Sequence, residues 1–199
     1  MAQHKPGYIT ASSVKPFLTG KTGKLIAGGI YAAITIAGER AKMIVPELDN
    51  NFSGSIHTDW GNEHEADAIK LYERENFVQV YGMQEQIELL EIDGISTLVS
   101  CSPDGLVGEN GMTEVKCPST MAKHMQNVLR NAWISEYSDQ CQFQLMCSGR
   151  AWVDLISYDP RQEDWAQLHT VRIARDEERI AEIRNRIKQA EAAISGALI

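Results

Sequence analysis

Residues 94–118 constrain this chain more than any other stretch. Ile95, Leu98 and Val99 lie in a β-rich run bounded by Asp93-Gly94 and Pro103. Asp104-Gly105 and Asn110-Gly111 are turn pairs around Leu106-Val107, and a second run over 112–117 stops at Pro118. The spacing predicts a hairpin that returns Glu114 beside Asp104. Along a strand, Glu114 and Lys116 face one way and Val115 the other. Two carboxylates held so close repel unless a divalent cation lies between them. Magnesium suits one or two carboxylates, a backbone carbonyl such as that of Val115, water and phosphate oxygens. Lys116 adds a cation on the same face, able to orient or help deprotonate an attacking water or to stabilise charge on a phosphate. Taken alone, the same residues also read as a surface ion pair beside a turn.

Helical spacing is expected over 61–77, 120–132, 136–147 and 176–194. Strands are expected over 86–90, 94–101, 112–117 and 151–157, and a loop over 47–58. Thr10 or Ser12 ahead of Val14 reads as an N-cap. The fold class is therefore α/β, one central mixed sheet flanked by helices. At 199 residues the chain is expected to form a single domain over 1–199. In the helix after Trp60-Gly61, Glu65 falls on the apolar stripe of Ala68, Ile69 and Tyr72. A carboxylate there calls for a cation or a route to solvent. Tyr137, Gln140 and Gln144 share one helical face, which reads either as a solvated polar face or as neutral donors and acceptors for a phosphodiester or a metal-bound water. Ile180, Ile183, Ile187, Ala190 and Ile194 make a stripe that could pack on its own domain or on a partner. The four cysteines have no zinc spacing and are expected to be reduced. No apolar run reaches about 18 residues and no signal-peptide core is present, so neither membrane spanning nor secretion is expected.

Five segments occur in a familiar order: Trp60-Gly61-Asn62-Glu63-His64-Glu65, then Cys101-Ser102-Pro103-Asp104-Gly105, then Glu114-Val115-Lys116-Cys117-Pro118, then Tyr137 with Gln140 and Gln142, then Tyr158-Asp159-Pro160-Arg161. Together with Ile9-Thr10-Ala11-Ser12, they resemble lambda exonuclease and the YqaJ-like phage recombination nucleases of the PD-(D/E)XK superfamily. The match spans about 5–161, leaving 162–199 as a strand and helix appendage. The resemblance implies a restriction-endonuclease-like core and a hydrolase that degrades one strand of linear duplex DNA from its 5′ end, leaving 3′ tails. It also implies one or two Mg2+ ions (with Mn2+ as a substitute), a homotrimeric ring threading DNA ends, a phage single-strand annealing protein as partner, and a cytoplasmic location in a bacterial host.

By the same resemblance, Asp104, Glu114 and the Val115 carbonyl hold metal, and Lys116 acts on the attacking water. Glu65 is the helix carboxylate near metal or water, while Tyr137 and Gln140 position the scissile phosphate. Ser12 and Ser102 hold the 5′-terminal phosphate. Lys5 stands where the family has arginine, and the basic residue expected after Pro118 falls on Ala122 with Lys123 adjacent, so both lysines are candidate DNA contacts. Alternatives of other kinds are a catalytically weak DNA-end-binding scaffold and a related endonuclease. The 19 basic and 27 acidic residues give a net charge of −8. That excludes binding nucleic acid by bulk positive charge but not a locally basic groove.

Overall fold

The computed structural model describes residues 5–19, 25–41 and 56–197. The expected loop over 47–58 lies largely outside them, and its last three residues, 56–58, are already helical. Two mixed sheets replace the single sheet expected. In the first, β1 (Ile9–Thr10) pairs parallel with β4 (Ile95–Cys101), which pairs antiparallel with β3 (Ile87–Ile92). In the second, β2 (Val80–Tyr81), β5 (Gly105–Val107), β6 (Gly111–Lys116), β7 (Trp152–Tyr158) and β8 (Leu168–Ala174) lie side by side. Only β6 and β7 run parallel. The division falls at Ser102-Pro103-Asp104, because proline cannot donate to a ladder and the chain changes sheets there.

The hairpin expectation holds in its register: Gly105 pairs with Thr113 and Val107 with Gly111. The turn itself is Gly108 to Asn110, with Gly108 at φ +51°. Gly111 serves packing instead. A Cβ there would lie 2.1 Å from the Trp152 indole on the parallel neighbour.

Seven helices occur among the described residues: α1 (Lys15–Leu18), α2 (Ala27–Arg40), α3 (Ile56–Asn76), α4 (Met121–Arg130), α5 (Ile134–Ser148), α6 (Asp164–Gln167) and α7 (Glu177–Ala197). Thr10 and Ser12 cap no helix. Thr10 belongs to β1, Val14 is the N-cap of α1, and the Thr10 amide donates to Ser13 Oγ at 3.0 Å. Helices α4 and α5 end on residues of left-handed backbone, Asn131 and Gly149, which let the chain turn away sharply.

Alternation along the strands of the larger sheet sends residues to two cores. Met112, Val153 and Leu155 join α5 and α7 in the larger one, whereas Val115, Ile156 and Tyr158 join α3 in the smaller. The C-terminal segment is no appendage. β8 pairs along the whole of β7, and Ile180, Ile183, Ile187, Ala190 and Ile194 are buried in the larger core. The isoleucine stripe thus packs on its own chain. All four cysteines are free thiols, three of them buried. No described helix is long and apolar enough to cross a membrane.

Candidate active site

Where the hairpin ladder ends at Gly105, β6 continues past β5, and its Val115 amide has no strand partner on that side. Asp104 fills the gap: its Oδ2 accepts the Val115 N–H at 2.6 Å. Glu114 and Lys116, on the face toward α5, ion-pair with each other. Two turns of α5 then fix the Glu114 carboxylate. Gln140 Nε2 donates to its Oε1 at 2.5 Å and Gln144 Nε2 to its Oε2 at 2.6 Å. The glutamines therefore orient a carboxylate, which the shared-face reading of Tyr137, Gln140 and Gln144 did not foresee. Gln144 is 1% exposed, and its own oxygen is buried with no hydrogen-bond partner.

These groups line one cleft of about 350 Å³, together with Glu65 from α3, Ser12 after β1 and Ser102 after β4. Val115 also lines it. Its side chain packs in the smaller core, so the main chain is what faces the cleft. Thr10, Asn62, Gln86 and Ser100, which no motif singled out as site residues, complete the polar wall. Tyr137 stands at the side, its ring centroid 5.0 Å from the Lys116 ammonium. It separates two adjoining hollows, one of which carries Lys123. Lys123 sits 3.6 Å from Glu136. Lys5 is not among the residues lining the cleft; it pairs with Glu88 and lies 3.9 Å over the Tyr8 ring.

Electrostatics separate the roles. Burial first, then the Glu114 charge, pushes the Asp104 carboxyl well above the usual carboxylate range. Burial works against charge on Lys116 too, but Glu114 and Asp104 outweigh it and hold the ammonium above the ordinary lysine range. Burial, with Glu65 and Asp104 behind it, pushes the Cys117 thiol up to about 12, which leaves it un-ionised.

Among the described residues no three His, Cys, Asp or Glu side chains come together as a ready metal cage. Glu65 thus shares the cleft with Asp104 and Glu114 without closing a three-acid cluster. A zinc centre is not what this donor set fits. Two mutually repelling carboxylates beside the Val115 main chain, which lines the cleft, do fit a hard, partly hydrated cation such as magnesium, which needs no dedicated protein cage.

Residues 2–151 match the family described as the YqaJ-like viral recombinase domain. An alkaline exonuclease (LHK-Exo) from Laribacter hongkongensis superposes with a TM-score of 0.79 at 30% identity, over 97% of this chain and 90% of that one. LHK-Exo in complex with dAMP gives a TM-score of 0.80 at 29% identity with the same coverage. A phage related exonuclease from Haemophilus somnus 129PT shares the fold, with a TM-score of 0.71 at 19% identity over 95% and 94% of the two chains. No curated protein sequence matches.

Proposed function

Because this chain belongs to the YqaJ-like viral recombinase family, whose relatives include alkaline exonucleases, we propose that it is a magnesium-dependent exonuclease. It degrades one strand of linear duplex DNA in the 5′-to-3′ direction and leaves 3′ tails for strand annealing. The observation that carries the reading is the convergence of Asp104, Glu114, Lys116 and the Val115 edge in one cleft. Asp104 and Glu114, with the Val115 carbonyl, would hold magnesium or manganese. A divalent ion bound there supplies Lewis-acid polarisation of the phosphate and acidifies water.

The chain's own groups do the rest. Gln140 and Gln144 hold both oxygens of Glu114, so the carboxylate presents one fixed orientation. Lys116, kept charged, orients the attacking water and balances negative charge building on the phosphate. Tyr137, whose phenol burial pushes up, stays neutral and can donate to a phosphate oxygen. Glu65 faces the same space from α3. Ser12 and Ser102 offer hydroxyls to a 5′-terminal phosphate, and Lys123 draws the strand along the adjoining hollow. Lys5 reaches a phosphate only by leaving Glu88. The partners in this reading are a duplex end, two further copies of the chain in a homotrimeric ring, and a phage single-strand annealing protein.

Digestion of linear duplexes labelled at either the 5′ or the 3′ end tests it, with and without magnesium and with 5′-phosphate or 5′-hydroxyl. Loss of the 5′ label first, only with the metal, is expected. Lys116→Ala is expected to abolish digestion while the protein stays folded. If Lys116→Ala digests like the parent, the assigned mechanism is wrong even though the fold is right.

A further inference from the structure

Two stretches that the nuclease reading leaves without a task, Trp60-Gly61 and Tyr158-Asp159-Pro160-Arg161, meet in the fold. Asp159 follows β7 and is 0% exposed. It accepts the Arg161 amide at 3.0 Å, Arg161 Nε at 2.7 Å, Arg161 Nη2 at 2.8 Å and Gln162 Nε2 at 3.1 Å. This fork fixes the plane of the guanidinium, whose carbon lies 4.3 Å from the centroid of the Trp60 ring. His64, one turn along α3, packs edge-on against the same indole at 4.1 Å. Among the described residues, Trp60 Nε1 and His64 Nε2 are both buried without a hydrogen-bond partner, and the contacts that hold the indole are the two stacks.

The stack sits at a sensitive place. Trp60 immediately precedes Gly61 and Asn62, and His64 immediately precedes Glu65; Gly61, Asn62 and Glu65 all line the cleft. From Ala68 onward, α3 is anchored by burial in the smaller core and by the Tyr72 hydroxyl, which donates to Asp154 at 2.7 Å. Ahead of Ala68, the Arg161 stack ties the helix to the end of β7.

We propose that Arg161 is a positioning residue for the cleft: clamped by Asp159 and stacked on Trp60, it holds the start of α3 so that Glu65 keeps its place in the cleft that Asp104 and Glu114 also line. The proposal rests on the nuclease reading for the role of Glu65. A double-mutant cycle on the full chain tests it, using Arg161→Ala, Glu65→Gln and their combination, with Trp60→Phe and Arg161→Lys as conservative variants. The readouts are kcat and KM on linear duplex, melting temperature, and amide hydrogen exchange along α3.

Arg161→Ala is expected to lower kcat roughly 10- to 100-fold with little change in KM, the size of loss that a small misplacement produces. It should add almost nothing in the Glu65→Gln background, because both act through one carboxylate. Exchange should quicken over 60–66 and not over 70–76. Trp60→Phe keeps a stacking face and should stay near the parent, and Arg161→Lys, lacking the fork, should fall between. Multiplying losses in the double variant overturn the proposal, as does a lower melting temperature with unchanged turnover per folded molecule. If the parent leaves linear duplex intact, the nuclease reading fails, and amide exchange in α3 still decides whether Arg161 holds the helix.

Discussion

At the scale of single residues the cleft stores unfavourable charge. Asp104 is more readily protonated in the fold than in the unfolded chain, because burial and then Glu114 disfavour its anion. Its contribution to stability therefore falls as pH rises from the unfolded carboxylate value, about 3.9, through the raised folded value, and stays as a penalty above that. Asp104→Asn removes the penalty and keeps an oxygen for the Val115 amide. At pH 7 in a chelator the variant is expected to melt higher than the parent, by about 2–4 °C for each kcal/mol relieved. Magnesium should raise the melting temperature of the parent and leave the variant nearly unmoved, since a ligand stabilises only the state that binds it. A variant that melts lower than the parent in chelator contradicts this account. The spacing alone put Asp104 beside Glu114 and set Lys116 on the face of Glu114, because a two-stranded return has few registers; their reading as a site came from the family resemblance. Gln144 was not, because a glutamine on a helix face shows no sign of which carboxylate it will meet.

At the scale of elements, the hairpin and its neighbours leave little slack. A Cβ on Gly105 would meet Val80 Cγ1 at 2.1 Å and Thr113 Oγ1 at 3.0 Å. Gly105→Ala is therefore expected to cost about 1–3 kcal/mol, read from the urea midpoint, and to depress cleavage because Asp104 is its immediate neighbour. An unchanged midpoint would show that β2 yields freely. Ile187 on α7 is 0% exposed, and Ile187→Ala should cost about 2–5 kcal/mol by the same measurement. A loss near zero would return α7 to the status of an appendage. The helical period of residues 180–194 was plain in the sequence. Which surface the stripe covers was not, since an amphipathic face specifies burial and not a partner. A strand was expected somewhere in 162–199, but not its bounds or its pairing with β7: His169, Thr170 and Arg172 interrupt its apolar pattern because one face of this edge strand stays partly in water.

At the scale of the whole molecule, most guanidinium groups are already engaged by the chain's own acids. Arg40 pairs with Glu191, Arg172 with Asp154, and Arg179 with Asp139 and Glu182. With that pairing among the described residues and a net charge of −8, affinity for DNA ends should be moderate and should weaken as salt rises. Binding that is tight and indifferent to salt counts against that picture. Covalently closed circles should survive conditions that consume the same DNA once linearised; cutting of circles would favour an endonuclease. A binding isotherm across salt concentrations and a gel of the two substrates decide these points.

Local rules set what the sequence determined by itself: a tight return between Asp104 and Glu114, a shared face for Glu114 and Lys116, a helix carrying Glu65, and a mixed α/β class. Turn residues, strand alternation and helical period act over a few positions and need no knowledge of the rest of the chain. Tertiary structure alone decided that Ser102-Pro103 splits the strands into two sheets, that two glutamines from α5 fix Glu114, and that Arg161 lies on Trp60. Those contacts join residues tens of positions apart, and their partners are chosen by how the elements pack, which no local pattern encodes.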